Sequence, residues 1–430
     1  MSGAPLRGRL AADGIYTFAL RILSMLVAAS LGVLTARVLG AHGRGIYAAP
    51  MVDAGIASAG FSGLSSATSY FLLRRDCGSD IVRIVLSATA VFVAIATVVT
   101  VALAYLARSP WAAVPAVLSL PGPALLMVVT GYATGTHRIR LTTTFPAAST
   151  ALLLLVMAAT FATISRAPSA AIAVWVATPN LAALAMLIWM IRDARDLPKG
   201  RSSARAFLRY SLRAGLVSLV TLLNYRADIY IVAVFCPPAM LGMYTLAVSA
   251  SEALLAATQV TAVVTAPHIG SLDERAAAEL VARAVRHNVF VATLTCAALA
   301  LVAPFAVRLL YGAAFAGVVP ALRVLLAGVL ALSLGSPMST YFTIRQGRPE
   351  VALVLAGMSA TICIVASLAL VPRIGILGAA FASSSAYILG QSAALVYFAR
   401  CSGIALTSML VPRTNDIRTY VRALSTMIGS

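Results

Sequence analysis

The sequence predicts an all-α, polytopic membrane protein with about twelve transmembrane helices in two pseudo-symmetric six-helix lobes. Three observations predict it: an extreme apolar composition, twelve apolar runs long enough to cross a membrane, and arginines that sort to one side of those runs. Of 430 residues, 61% are apolar and 10% are charged. A soluble domain averages roughly 25% charged and 45–50% apolar residues, so a water-soluble fold of this size is excluded. Twelve crossings of about 20 residues each would use most of the apolar content.

The runs cover 15–38, 45–72, 82–107, 112–136, 142–165, 169–191, 207–235, 239–266, 288–310, 317–344, 350–371 and 375–399. Arg7 and Arg9 precede the first. It is longer than a signal-peptide core and no small-x-small cleavage site follows it, so it is expected to be retained as a helix. Several runs exceed the minimum length and imply tilt or extension beyond the bilayer.

Charge orients the helices. With the N-terminus inside, 22 of the 32 Lys and Arg residues fall in inside segments, including Arg74, Arg75, Arg138, Arg192, Lys199, Arg205, Arg275, Arg283, Arg286, Arg345, Arg413, Arg418 and Arg422. Six fall outside: Arg37, Arg44, Arg108, Arg166, Arg308 and Arg373. Arg21, Arg213, Arg226 and Arg323 lie within runs. This bias places both termini in the cytoplasm. It also accounts for the net charge of +19 without a nucleic-acid partner.

The longest internal polar stretch, 193–206, divides the chain into expected lobes at 1–196 and 197–400, leaving 401–430 as a basic cytoplasmic tail. Arg205, Arg209 and Arg213 recur at helical spacing, so this loop should lead into an amphipathic start of the seventh helix. The halves echo one another. Gly45-Ile46-Tyr47 opens the second helix and Gly242-Met243-Tyr244 opens the eighth, 197 residues later. Paired six-helix halves are the mark of a repeat-built transporter with its site between the repeats.

Enzymatic chemistry finds no support. The sequence has no GxxxxGK[ST], GxSxG, HExxH or DxD motif. Asp193 and Asp196 are the nearest acidic pair, and a solvated loop explains them better than a metal. The five cysteines and four histidines show neither CxxC nor metal-ligand spacing, so no disulfide framework, metal or cofactor is expected. The outside loops are too short to hold the acceptor of a membrane glycosyltransferase or polymerase. Transport would be downhill, ion-coupled or driven by a partner.

The informative residues are charges inside the runs. Each costs roughly 2.5–3.5 kcal/mol at a helix centre on insertion scales, so each should face a cavity or a partner. They are Arg21 in the first helix, Asp53 in the second, Arg226 and Asp228 in the seventh, Glu252 in the eighth and Arg323 in the tenth. Arginine presents a planar fork that fits phosphate oxygens. Arg226, Arg21 and Arg37 are therefore candidates for a head-group cavity, and Asp228, Glu252 and Asp53 for coupling or gating. Competing structural readings exist. Arg37 and Arg323 can snorkel to the interface. Arg226 and Asp228 lie two apart, on different sides of a helix, so each would need its own partner to hold helices together, whereas Asn224 and Asp228, four apart, share a face. Ser and Gly neighbours can solvate Asp53. Small residues crowd the second helix (Gly55, Ser58, Gly60, Ser62, Gly63, Ser65, Ser66), and Gly131 with Gly135 forms a GxxxG in the fourth. Both patterns suit close helix packing.

Several segments resemble bacterial polysaccharide flippases of the multidrug/oligosaccharidyl-lipid/polysaccharide exporter (MOP) superfamily. RVLGAHGRGIYA (Arg37–Ala48) is similar to their first interhelix loop, NYRADIYIV (Asn224–Val232) to their seventh helix, and GMYTLAVSASEAL (Gly242–Leu254) to their eighth. LLYGAAFAGVVPALRVL (Leu309–Leu325) and VPRIGILGAAFASSSAYI (Val371–Ile388) fit as well. The resemblance implies a V-shaped pair of six-helix lobes in the bacterial cytoplasmic membrane. It implies alternating access that moves polyprenyl-pyrophosphate-linked saccharides from the inner to the outer leaflet. Arg226, Asp228 and then Glu252 carry over as cavity residues; Arg21 matches less clearly. Lipid II flippases of this superfamily often have fourteen helices, and the count of twelve sets this chain apart from that branch. Implied partners are the lipid-linked saccharide, membrane lipids and glycan-synthesis membrane proteins, with a monomer as the expected state. An organic-cation antiporter of the same superfamily and a non-transporting scaffold are the alternatives. The cationic bias argues against the first and the retained intramembrane charge against the second. Arg413, Arg418 and Arg422 make the tail a candidate for contact with anionic lipid.

Overall fold

The computed structural model describes residues 4–73, 80–197 and 203–411. Arg74, Arg75, Cys77, Lys199, Arg201 and the tail from residue 412 lie outside the described residues. The described chain is helical, without a strand. In order the helices are α1 (Ala4–Ala57), α2 (Ser62–Leu73), α3 (Ile81–Leu106), α4 (Ala113–Ser119), α5 (Pro121–Gly135), α6 (Ile139–Thr163) and α7 (Pro168–Asp193). Then come α8 (Ala204–Phe235), α9 (Pro238–Ser271), α10 (Glu274–Leu310), α11 (Val318–Leu332), α12 (Gly335–Thr340), α13 (Pro349–Ser402) and α14 (Leu406–Leu410).

Among the described residues, nine segments are long and apolar enough to cross a membrane. Two of them are 58 and 53 residues long, enough for two crossings each. Each is broken once by a glycine in the left-handed region: Gly40 (φ 65°) in α1 and Gly375 (φ 59°) in α13. Together with α9 the crossings number twelve. The broken helices coincide with the first pair and the last pair of apolar runs. The chain is a multi-pass membrane protein. Its exposed apolar side chains, such as Leu26, Val98, Leu155, Leu301, Phe305 and Val365, are a surface suited to lipid and not to water.

Helices α10 and α8 both begin before their apolar runs. Helix α10 starts at Glu274, about four turns before the run at 288. That polar stretch is amphipathic. Ala277, Ala278, Val281, Ala282 and Val285 are buried, while Arg275, Glu279 and Arg283 are exposed, so a tertiary contact supports the extra turns. Helix α8 starts three residues early, capped by the Ser203 hydroxyl, which accepts from the Ala206 N–H. Its first turns are amphipathic as expected: Arg205, Arg209 and Arg213 are exposed, and Phe207, Ser211 and Gly215 are buried.

The chain packs as two units. The first comprises Met1–Met243 with Leu310–Ala314, and the second Tyr244–Leu309 with Phe315–Ser430. In the first, α2 packs on α5 and α8, and α1 and α7 pack on α6. Phe61, Leu64, Phe92, Leu120, Val128, Tyr132 and Phe207 centre one cluster. Tyr47, Leu153, Met157 and Phe161 centre another. In the second unit α11 lies along α13, and Val281, Met338, Tyr341, Phe342, Phe398 and Met409 share a cluster.

Within lipid, apolar burial does not drive helices together, so close packing and polar bonds must. The GxxxG of α5 serves that end. A Cβ on Gly131 would lie 2.8 Å from the Ser65 Cα of α2, and one on Gly135 would lie 2.6 Å from the Leu72 side chain. Asn180 of α7 donates to the Leu118 carbonyl (3.0 Å) beside the break between α4 and α5, where backbone groups need a partner. In the second unit the fully buried Asn288 donates to the Ser333 carbonyl (2.8 Å) and accepts from the Thr261 hydroxyl (2.8 Å), tying α9, α10 and the end of α11. Gly131→Ala should destabilise the protein by about 1–3 kcal/mol through overpacking, whereas Gly357→Ala, with open space around it, should not. Thermal unfolding in detergent checks the pair.

Candidate functional site

The break at Gly40 creates a polar site in the first unit. Before the break, α1 offers the Gly32 carbonyl and the Thr35 hydroxyl. Beyond it, Arg44 turns back and donates from one terminal nitrogen to both, with the Gly32 bond at 3.0 Å. Arg44 is 9% exposed. It also acts electrostatically on Tyr47 and on Tyr311, whose phenol burial raises and Arg44 lowers. Arg37 is exposed on the same helix, and its Nε donates to the Leu310 carbonyl at 2.8 Å. The arms of the broken helix are thus bonded to each other and to segment Leu310–Ala314.

The echoed motifs meet at this end. A Cβ on Gly242 would lie 2.5 Å from the Ala41 carbonyl oxygen and 2.9 Å from the Gly45 nitrogen; one on Gly45 would overlap the Pro238 carbonyl. Only glycine permits backbones this close. Tyr47 and Tyr244, which close the two motifs, are both buried.

Deeper in the unit lies a buried acid. Asp53 is 1% exposed, and its Oδ2 has no hydrogen-bond partner among the described residues. It interacts electrostatically with Tyr230 of α8. The Tyr230 hydroxyl donates to the Leu103 carbonyl of α3 at 2.8 Å. Thr100, three residues earlier on α3, is fully buried and its hydroxyl is also without a partner. Asp228 is 2% exposed, and its Oδ1 accepts from the Ile229 N–H at 2.8 Å. Asn224, one turn before it, is buried as well, while Arg226 on the opposite side of α8 is half-buried.

The candidate residues therefore divide. Asp53, Asp228 and Arg226 lie in the interior or near-interior of the first unit. Arg37 and Arg21 are exposed on α1. Glu252 is half-buried on α9, in the part assigned to the second unit. Two readings from sequence change. Arg44, placed in an outside loop, is the buried tie of the broken helix; its position between Gly43 and Gly45 was the available signal. Asp193 is not a freely solvated loop acid. It pairs with Arg138, accepts from the Tyr132 hydroxyl at 3.0 Å, and Arg138 lies over the Trp189 ring at 5.4 Å. No metal-holding group of His, Cys, Asp and Glu occurs among the described residues.

Comparison with known proteins places this architecture. A family model described as polysaccharide biosynthesis protein matches residues 147–320, a stretch that includes Arg226, Asp228 and Glu252. No curated protein matches the chain in sequence. Among solved structures, the lipid II flippase MurJ in an inward closed conformation aligns with a TM-score of 0.76 at 13% identity. It covers 93% of this chain and 89% of its own. An inward-facing multidrug resistance MATE family transporter of the MOP superfamily aligns at 0.71 with 16% identity, covering 90% and 98%. The fold of this chain is similar to that of MOP-superfamily transporters. A MOP transporter from Pyrococcus furiosus, described by the reversed polarity of its binding pocket, aligns at 0.62 with 15% identity over 93% and 95% of the two chains.

In this MOP fold the Arg44 tie is a stability element. Arg44→Met should remove the bonds that Arg44 donates to the Gly32 carbonyl and the Thr35 hydroxyl and cost about 1–3 kcal/mol. The midpoint of thermal unfolding should fall, while Arg21→Met, at an exposed site, should leave it unchanged.

Proposed function

We propose that this chain is a flippase that carries a polyprenyl-pyrophosphate-linked oligosaccharide, a cell-envelope polysaccharide precursor, from the inner to the outer leaflet by alternating access. The observation that carries the reading is the match of a polysaccharide-biosynthesis family model to the stretch that bears Arg226, Asp228 and Glu252, within a MOP transporter fold. The sequence-level lobes, 1–196 and 197–400, are the two halves between which the cargo passes. The basic segment 401–430 is the cytoplasmic tail. The excess of arginine at inside positions supports a bacterial cytoplasmic membrane location with both termini in the cytoplasm.

Arg226 is the first head-group residue, because a guanidinium on a membrane-spanning helix matches a pyrophosphate in charge and geometry. Arg21 and Arg37 supply further positive charge at exposed positions of α1. Asp53, Asp228 and Glu252 are coupling or gating groups. Asp53 suits that role through its orphaned oxygen: a buried carboxylate oxygen without a hydrogen-bond partner is suited to receive a cation. The protein supplies binding and orientation and catalyses no covalent step. Its partners are the lipid-linked saccharide, membrane lipids and glycan-synthesis membrane proteins, and it acts as a monomer.

Two experiments test the reading. Depleting the protein should accumulate a sugar-pyrophosphate-lipid at the cytoplasmic face, and mass analysis of that lipid identifies the cargo. Sensitivity to cationic compounds without such accumulation would replace the flippase by an ion-coupled multidrug antiporter. A second test uses variants. Arg226→Ala should abolish transport with normal insertion and expression. Glu252→Gln should alter pH or sodium dependence in vesicles more than cargo binding, and Asp53→Asn should block coupling without lowering thermal stability. Normal transport by well-expressed Arg226→Ala removes that residue from the cavity.

A further inference from the structure

One cavity lies away from every residue assigned above. After α13 the chain reverses at Gly403, in the left-handed region at φ 69°. Residues 404–411 then form a strap, of which 404–408 lie along the second to fourth turns of α10. Met409 is fully buried in the second unit's core cluster. Arg286, 5% exposed, donates to the Ser408 carbonyl. Between strap and helix remains a cavity of about 300 Å³, lined by Glu279, Arg283, Arg286, Ile404 and Ser408 among others.

Its charge is positive. Two guanidinium groups face one carboxylate, and Glu279 pairs outside the cavity with Arg275 at 3.7 Å. Arg286 is held by its bond to the strap and Arg283 is exposed, so one arginine is fixed and one is free to close on a ligand. Beside this charge the strap presents Leu406, Leu410 and Val411, which are 38%, 38% and 60% exposed. An exposed apolar ledge next to a cationic cavity, at the end of a membrane helix, has the chemistry of a phospholipid: anionic head, apolar tails. An internal salt-bridge network alone would need neither the cavity nor the ledge.

We propose that this cavity is a phosphate-ester site, with Arg283 and Arg286 as its cationic walls and the headgroup of an anionic membrane lipid as its occupant. The bound phosphate joins strap to α10 and fastens the end of the last long helix. Soluble phosphate shares the chemistry and is the competing source. The proposal rests on the membrane fold and not on the cargo, so it stands or falls apart from the flippase reading.

The full chain, purified in mild detergent, is titrated with phosphatidylglycerol or phosphatidylcholine and examined by native mass spectrometry. In parallel, hydrogen exchange of residues 405–410 is followed with each lipid and with inorganic phosphate. The site predicts one phosphatidylglycerol retained by wild type, about tenfold weaker retention by Arg283→Gln, intermediate retention by Arg283→Lys, and slowed exchange of the strap. Phosphatidylcholine should do neither. Slowed exchange with inorganic phosphate and not with phosphatidylglycerol keeps the site and changes its occupant to a soluble phosphate. Equal retention by wild type and Arg283→Gln, with strap exchange indifferent to both lipid and phosphate, overturns the proposal. The exchange measurement on wild type decides the matter even if the variants misfold.

Discussion

Close approach of one helix backbone to another is the constraint on which this protein depends. Water expels apolar surface, but lipid does not, so the helices gain little by merely hiding leucines from one another. They gain by coming close enough for backbone and small side chains to pack. Gly131 against Ser65, Gly135 against Leu72 and Gly242 against Ala41 and Gly45 are such contacts. Polar bonds join segments as well: Asn180 to Leu118 and Arg44 to Gly32 and Thr35 in the first unit, Asn288 to Ser333 and Thr261 in the second. The small-residue contacts set the distances, and the polar bonds fix the register.

Much of this was legible in the sequence because bilayer thickness is a ruler. Apolar run length, arginine bias and glycine punctuation give the number and order of crossings, and both broken helices fall at boundaries between runs. The amphipathic start of α8 was visible in the spacing of Arg205, Arg209 and Arg213. The early start of α10 was not, since its Glu and Arg residues read as loop until its alanine face is known to join the cluster of Met338, Tyr341, Phe342, Phe398 and Met409. The partners of individual charges were equally hidden. Asp193 and Asp196 look alike in sequence, yet Arg138 and Tyr132, more than 50 residues away, single out Asp193.

The charged residues of the candidate site show how local pattern informs and misleads. Spacing correctly set Asn224 and Asp228 on one buried face of α8 and Arg226 on another. For Arg44, which is drawn inside, the flanking Gly43 and Gly45 were the one local signal. Arg44 reaches back across the helix break to the Gly32 carbonyl and the Thr35 hydroxyl, partners that the residues around position 44 do not reveal. The residue with the orphaned oxygen, Asp53, stands in a helix segment rich in Ser and Gly that leaves that oxygen unsolvated.

The covalent order of the chain and its packing order do not coincide. Helix α8 follows the long polar connection, yet it packs on α2 of the first unit, and Leu310–Ala314 returns to that unit from the midst of the second. A chain divided at the polar connection would therefore not yield two self-sufficient pieces. The C-terminal piece would carry α8 with its glycine face uncovered, and the N-terminal piece would lack the helix that closes its core. Complementation between such fragments would be an interlocking, each supplying what the other's interior lacks. Synthesis imposes the same order: the first six crossings emerge from the ribosome with a vacancy that only the seventh fills.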